Sequence, residues 1–109
     1  MKLSHQDLKR LSDAVKEKHK NFVVSNMNDS SLRMAVNEDS ICDWHSHPGS
    51  DELFIVLEGE LLVEFKDNVS FLLKPMETLT VPSGAIHRTT AKERTVNLCF
   101  ESTNATTVI

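Results

Sequence analysis

Apolar and polar residues alternate along most of this chain, and after residue 20 they do so in short segments separated by turn residues. A period of two places successive side chains on opposite faces of a β-strand. The pattern predicts strands at 22–24, 32–36, 41–47, 53–57, 61–65, 69–73, 78–81, 86–90 and 95–100. Short strands at such regular spacing are typical of an antiparallel sandwich or barrel.

The N-terminal segment is the one stretch with a helical period. Apolar residues recur there at helical spacing, at Leu8, Leu11 and Val15. Ser4 followed by Asp7 resembles a capping box, with Asp in place of the usual Glu or Gln. We therefore predict one helix over residues 3–19, with a solvated charged face that includes the surface histidines His5 and His19.

Length and charge restrict the class of protein. A chain of 109 residues has the size of one ordinary domain, in which residues 1–20 form a helix that packs on a barrel of residues 21–109. The net charge of −4 weighs against a nucleic-acid partner. No apolar run approaches the roughly 20 residues of a membrane helix, and the N-terminus lacks the apolar core of a signal peptide. We expect a cytoplasmic protein with no membrane partner, in which Cys42 and Cys99 are reduced thiols.

The candidate chemistry is concentrated in the segment from Trp44 to Glu52. His45 and His47 are one residue apart, so an extended strand directs both imidazoles to one face. Glu52 opens a very apolar strand, where a carboxylate is costly to bury unless a charged group meets it. His87 follows a Pro-Gly turn and begins a later strand. Together these residues indicate a metal site; the alternative is a set of buried histidines hydrogen-bonded to Glu52 without a metal.

The spacing of these residues resembles the motifs of the cupin superfamily. The two motifs are His45-x-His47-x4-Glu52-x6-Gly59 and Pro82-x-Gly84-x2-His87. The resemblance covers residues 30–102 and is greatest to small bacterial single-domain cupins labelled mannose-6-phosphate isomerase-like, a label that names no activity. It implies an all-β fold, the double-stranded β-helix or jelly-roll barrel, here with one N-terminal helix.

The same resemblance implies that one divalent transition metal is held by His45, His47, Glu52 and His87. Three nitrogen ligands and one oxygen ligand suit Fe, Mn, Ni, Zn, Co or Cu. Octahedral coordination leaves two positions for water, O₂ or a chelating small-molecule ligand. The chain departs from the family at Asp39 and Met76, which replace glycines, and at Ala91, which replaces an asparagine. These positions serve turns and packing, so the loop shapes there stay open.

Strand alternation also predicts what lines the pocket. Phe54 and Val56 share the face of Glu52, and Val63 belongs to an alternating face of the next strand. Asp43 shares the parity of His45, which makes it either a partner of that imidazole at the cavity mouth or a solvated residue at the strand entry. In an enzyme, Glu52 would leave the metal to act as the catalytic base.

The opposite face of the same strand is also apolar, at Leu53, Ile55 and Leu57. This face is covered either by a second subunit of a homodimer or by the apolar stripe of the N-terminal helix (Leu8, Leu11 and Val15), and the two covers can coexist. Three functions fit the sequence: a metal-dependent dioxygenase or isomerase, a non-catalytic binding or sensor protein for a small molecule, and a barrel with a vestigial site. The intact ligand set argues against the third.

Overall fold

Nine strands follow one short helix in the computed structural model, which describes all 109 residues. The elements are α1 (Leu8–Asp13), β1 (His19–Met27), β2 (Ser30–Asn37), β3 (Ser40–Ile41), β4 (Glu52–Glu58), β5 (Leu61–Phe65), β6 (Ser70–Leu73), β7 (Thr78–Val81), β8 (His87–Ala91) and β9 (Thr95–Ser102). The one helix is not long and apolar enough to cross a membrane.

The strands form two antiparallel sheets. The five-stranded sheet has the order β1-β2-β9-β4-β7, and the four-stranded sheet has the order β3-β8-β5-β6. From β2 onward the chain passes repeatedly from one sheet to the other, so that strands distant in sequence become neighbours. This is the double-stranded β-helix of a jelly-roll barrel, and the predicted all-β fold with one helix is confirmed.

The inner faces of the two sheets enclose the barrel core. Its buried members are Phe54, Val56, Leu61, Val63, Leu73, Val81 and Cys99. Along β4, burial alternates as the sequence predicts: Glu52, Phe54 and Val56 point inward, and the intervening side chains are only partly buried. The inward face of β4 therefore begins with the carboxylate of Glu52 and continues with the core residues Phe54 and Val56.

A second core lies on the outer face of the five-stranded sheet. Its buried members are Val15, Met34, Val36, Val96 and Leu98. Leu8 and Leu11 of the helix segment pack against this cluster, as do Ile55 and Leu57 from the outer face of β4. The helix stripe is therefore the intramolecular cover of that face.

The helix is shorter than the predicted range of 3–19. Its N-cap is Asp7 rather than Ser4, since the Asp7 side chain accepts a hydrogen bond from the backbone N–H of Arg10 at 3.1 Å. The five residues 16–20 contain no apolar side chain that would hold a helix against the sheet. His19 and Lys20 instead pair with β2 as the start of β1.

Backbone geometry explains how the chain tolerates its departures from the cupin motifs. Asp39 and Met76, where the family has glycine, both adopt positive φ, at 53° and 73°. The loops thus keep the left-handed conformation despite the side chains, at a cost of roughly 1–2 kcal/mol per residue. Gly59 is retained where it is sterically required, since a Cβ there would run into the backbone of Arg94 and Thr95.

Candidate metal centre

The segment that carries His45 and His47 is not the continuous strand predicted over 41–47. β3 ends at Ile41, and the chain returns to the sheet only at His45. There, His45 and His87 exchange two backbone hydrogen bonds of 2.9 Å. Ser46 pairs in the same way with Val108 of the C-terminal tail. These two bridges hold the segment extended and keep both imidazoles on the inside.

The structure brings the four predicted ligands together. One donor atom each from His45, His47, Glu52 and His87 lies within 4.8 Å of all the others. The Nε2 atoms of His87 and His47 are 3.2 and 3.4 Å from Oε1 of Glu52. The side chain of His87 is fully buried, and those of Glu52 and His47 are only 8% and 11% exposed. The cluster therefore lies in a largely dry environment at one end of the barrel core.

Backbone carbonyl groups fix the orientation of all three imidazoles. Nδ1 of His45 contacts the carbonyl oxygen of Asp43 (2.8 Å), Nδ1 of His87 that of Ala85 (2.9 Å), and Nδ1 of His47 that of Thr106 (3.1 Å). A carbonyl oxygen only accepts, so each Nδ1 carries the hydrogen and donates it. In the neutral imidazoles each Nε2 then has a free lone pair. Metal-ligating histidines typically show this arrangement.

The residues present fit a metal ion. Lone pairs on Nε2 of His87 and His47 face Oε1 of Glu52, which is also an acceptor, so the contact is repulsive unless a cation lies among these atoms. A metal with ligand bonds of about 2.0–2.2 Å separates adjacent ligand atoms by about 3 Å, close to the observed distances. A proton on one imidazole is the alternative cation, and it would compete with the metal.

Cys99 contacts the carboxylate of Glu52 on the side away from the histidines. The Cys99 thiol donates a hydrogen bond to Oε2 of Glu52 at 2.8 Å, which leaves Oε1 directed at the histidines. Burial acts to raise the pKa of Glu52, but the contacts with His87 and Cys99 and the charge of His47 outweigh it, so this pKa lies below its ordinary value. Burial raises the pKa of the Cys99 thiol well above its ordinary value, so Cys99 keeps its hydrogen.

A second thiol lies behind His45. Sγ of Cys42 is 4.0 Å from Nδ1 of His45 and accepts a hydrogen bond from the backbone N–H of Thr89 at 3.0 Å. The contact with Cys42 is the largest of the effects that raise the pKa of His45 to about 9, against the opposing effect of burial. Without a metal, His45 therefore retains a proton at neutral pH.

The four residues predicted to line the pocket (Phe54, Val56, Val63 and Asp43) differ in where they lie relative to the histidine cluster. The ring of Phe54 is 6.3 Å from the ring of His87, centroid to centroid, so Phe54 adjoins the site. Val56 and Val63 are fully buried in the inner core together with Phe54. The side chain of Asp43 is exposed, and Asp43 contacts His45 through its carbonyl oxygen and not through its carboxylate.

Sequence reasoning missed three contributors to the site. The sequence predicts Cys99 only as a reduced thiol and gives Thr106 no role, whereas the structure places the Cys99 thiol against Glu52 and the Thr106 carbonyl oxygen against His47. Glu101 was not singled out, although alternation along β9 places it on the same face as Cys99. The available signal was the inward parity of residues 97, 99 and 101, but it becomes informative only once β9 is paired with β4.

Fold and site together define a cupin, and the comparison of sequences agrees. The chain belongs to the Cupin domain family, which matches residues 32–100. It is similar to an uncharacterized protein of Bacillus subtilis, YdbB, with 53% identity over 104 residues, which cover 95% of this chain and 91% of that protein.

Solved structures show the same architecture. A cupin-2 domain containing protein from Shewanella frigidimarina superposes with a TM-score of 0.82 at 28% identity, over 89% of this chain and 93% of that one. Protein NMB1881 from Neisseria meningitidis superposes with a TM-score of 0.81 at 23% identity, over 92% of this chain and all of that one (100%). The second similarity shows the fold alone.

Proposed function

We propose that this cupin binds one divalent transition metal through His45, His47, Glu52 and His87 and acts on a small organic ligand at that metal. The observation that carries the proposal is the convergence of three imidazoles and one carboxylate, whose ligand atoms all lie within 4.8 Å of one another. When bound, the metal would act as a Lewis acid on a ligand oxygen or as the centre for O₂ chemistry. The fold itself hosts many reactions and does not choose between dioxygenation and isomerisation.

The chain's own residues define what this site offers a ligand. His87 and Glu52 are buried, so a ligand enters an environment with little water, where electrostatic contacts are strong. Phe54 provides an apolar wall beside His87. Ala85, Asp43 and Thr106 keep the three imidazoles from rotating, so the site needs little reorganisation when a ligand binds.

The alternative function is binding without turnover. It is favoured by one contact pattern: Oε2 of Glu52 accepts from Cys99, and Oε1 faces His47 and His87. A carboxylate engaged at both oxygens is not free to act as the catalytic base that the sequence predicts. Under this alternative the protein is a sensor or carrier that holds the metal and the ligand.

Metal analysis of the tag-free protein tests the proposal. We expect about one metal per chain in the wild type, and a loss of most of that metal in His45→Ala and in His87→Ala. His19→Ala is the matched control, because His19 is exposed and far from the cluster in the chain. Full metal content in both site variants would show that the ligand assignment is wrong.

Turnover is tested on the protein loaded with iron, manganese or copper. We expect O₂ uptake with at least one member of a panel of diketones, catechols and thiols, and no uptake by His87→Ala. A loaded protein that binds these compounds, as seen by spectral change, but consumes no O₂ and returns them unchanged would favour the binding function.

We also propose that a second copy of the chain docks on the outer face of the four-stranded sheet. An outward row crosses this sheet through successive register partners: Ile41, Thr90, Leu62 and Leu72. Ile41 is 66% exposed and Leu72 49% exposed. Leu62, Thr90 and Leu72 line a surface cavity of about 620 Å³, whose lining also includes two lysines and two glutamates: Lys74, Lys92, Glu60 and Glu93. A copy related by a two-fold axis can place opposite charges of this mixed lining against each other.

Light scattering tests this interface. We expect a dimer for the wild type and a monomer for Leu72→Lys. Met27→Lys is the matched control, because it changes an exposed apolar residue on β1 of the other sheet. A wild-type monomer at high concentration, or a Leu72→Lys dimer, would show that this face is not the interface.

A further inference from the structure

Another cavity lies on the outer face of the four-stranded sheet, across the sheet from the histidine cluster. His45 and His87 exchange backbone hydrogen bonds and point inward. Successive side chains of a strand alternate between the faces of a sheet, so their neighbours Trp44 and Arg88 lie opposite each other and point outward. Both residues line a surface cavity of about 490 Å³.

The indole of Trp44 holds two cations at this cavity. Cζ of Arg88 is 4.4 Å and Nζ of Lys66 is 4.5 Å from the centroid of the ring. A guanidinium group over an aromatic ring keeps the N–H groups in its own plane available for other acceptors. Trp44 therefore positions two charged donors without using their hydrogen-bonding capacity.

The guanidinium of Arg88 has donors that no group of the protein accepts. Its Nε donates to Oε1 of Glu64 at 3.0 Å, whereas its two Nη atoms have no acceptor in the protein. Arg94 has a side chain with the same exposure of 33%, and it uses all three of its nitrogens, on one carboxylate and two backbone carbonyl oxygens. Every buried side-chain nitrogen in the protein has a partner, so the Nη atoms of Arg88 are accessible to a ligand.

The lining of the cavity has an excess of positive charge and of donors. It contains two cations, Lys66 and Arg88, and one carboxylate, Glu64, although the whole chain has a net charge of −4. Glu64 pairs with Arg88, and the exposed ammonium group of Lys66 has no carboxylate partner. Asn68 and Ser70 add an amide and a hydroxyl group to the lining. Such a lining favours a negatively charged group that only accepts hydrogen bonds.

We propose that this cavity binds an oxyanion, the phosphate or carboxylate group of a small molecule, between the Nη atoms of Arg88 and Nζ of Lys66. Glu64 orients the guanidinium through Nε and leaves its Nη end for the ligand. The site is on the opposite face of the sheet from the histidines, so it does not rest on the proposed metal chemistry. It also shares no lining residue with the cavity of the proposed dimer face.

The fluorescence of Trp44 reports on this cavity alone, because Trp44 is the only tryptophan in the chain. Chelator-treated protein is titrated with sodium phosphate and with sodium acetate, and with sodium chloride at equal ionic strength as the reference. We expect a saturable change with at least one of the two oxyanions and none with chloride, since the oxyanion draws on the two cations over the ring. The oxyanion that binds more tightly identifies the group. No saturable change with either oxyanion, or the same change with chloride, would overturn the proposal.

Substitutions in the lining locate the bound anion. Lys66→Met and Arg88→Met should each weaken binding by about tenfold or more, because each removes charge-assisted hydrogen bonds. Glu64→Gln should strengthen it by about threefold, because the negative charge of the lining is lost. Lys18→Met is the matched control and should stay within about twofold, since Lys18 is an exposed lysine that precedes β1 of the other sheet.

Two results with these variants would refute the assignment: wild-type affinity in both Lys66→Met and Arg88→Met, or an equal loss in Lys18→Met, which would trace the binding to overall charge. The metal content of Lys66→Met should equal that of the wild type. A protein that holds no metal and still binds the oxyanion would therefore refute the proposed function and leave this site in place.

Discussion

Cys99 donates a hydrogen bond from its thiol to Oε2 of Glu52 at 2.8 Å, and this contact determines which carboxylate oxygen faces the histidines. With Oε2 occupied, Glu52 offers the cluster a single oxygen, Oε1, which lies 3.2 Å from Nε2 of His87. Cys99 is thus a positioning residue that acts through Glu52.

We expect Cys99→Ala to weaken metal binding by about tenfold or more, in line with the effect of losing an outer partner of a metal ligand. The hydroxyl group of Cys99→Ser can still donate to Oε2 of Glu52, so this variant should stay within about threefold of the wild type. Competition with a chromogenic chelator measures both affinities. Equal losses in the two variants would show that Cys99 contributes packing and not orientation.

The C-terminal tail orients His47 through the carbonyl oxygen of Thr106. Deletion of residues 104–109 should therefore lower metal affinity by about tenfold or more, because His47 loses the acceptor that fixes its imidazole and Ser46 loses its backbone bridge to Val108. No tail residue belongs to either core, so circular dichroism should show an intact fold. The control is deletion of Ile109 alone, which is exposed. Wild-type affinity after the longer deletion would contradict this role.

Metal binding should depend on pH through His45. Its pKa is raised to about 9, chiefly by Cys42, so at lower pH a proton on His45 must leave before the nitrogen can bind metal. Apparent affinity should rise about tenfold per pH unit between pH 7 and pH 8 and level off near pH 9.

The variant Cys42→Ala removes the largest cause of this raised pKa. Affinity at pH 7 should then increase, and the slope between pH 7 and pH 8 should flatten, because His45 returns toward its ordinary pKa of 6.5. Isothermal titration at several pH values gives both quantities. A slope that is unchanged in Cys42→Ala would assign the proton to another group.

Replacing Met76 by glycine should stabilise the fold, since Met76 is exposed and its φ of 73° disfavours any side chain. Met76→Gly should raise the free energy of unfolding by about 0.5–1 kcal/mol, the relief of strain less the greater entropy of glycine in the unfolded chain. Asp39→Gly should give a smaller gain, because Asp tolerates positive φ better. Urea unfolding measures both, and a lower stability of Met76→Gly would refute the strain argument.

The sequence determines the parts of this site that depend on alternation within one strand. Glu52, Phe54 and Val56 are inward because each lies two residues from the next, and the histidine spacing supports the same family resemblance. Alternation within one strand does not determine the contact of Cys99 with Glu52 or the pairing of Glu101 with Glu52. Both depend on the register between β4 and β9, which are far apart in the chain.

The helix shows the same distinction between local and tertiary information. Its apolar stripe predicts which residues meet the sheet, and Leu8, Leu11 and Val15 do so. Its length follows from competition, since His19 and Lys20 gain more from pairing with β2 than from extending a polar helix. A sequence pattern within one segment does not show whether a longer helix or pairing with β2 is more stable.

The division of the apolar residues into two cores has a consequence for how this protein can change. β4 and β9 contribute side chains to the helix-covered core through one face and to the barrel through the other. The helix-covered core buries apolar side chains that do not line the barrel, so substitutions inside the barrel leave those buried contacts in place. New ligand chemistry can therefore be introduced at the barrel interior, by selection or by engineering, while the outer layer is left untouched.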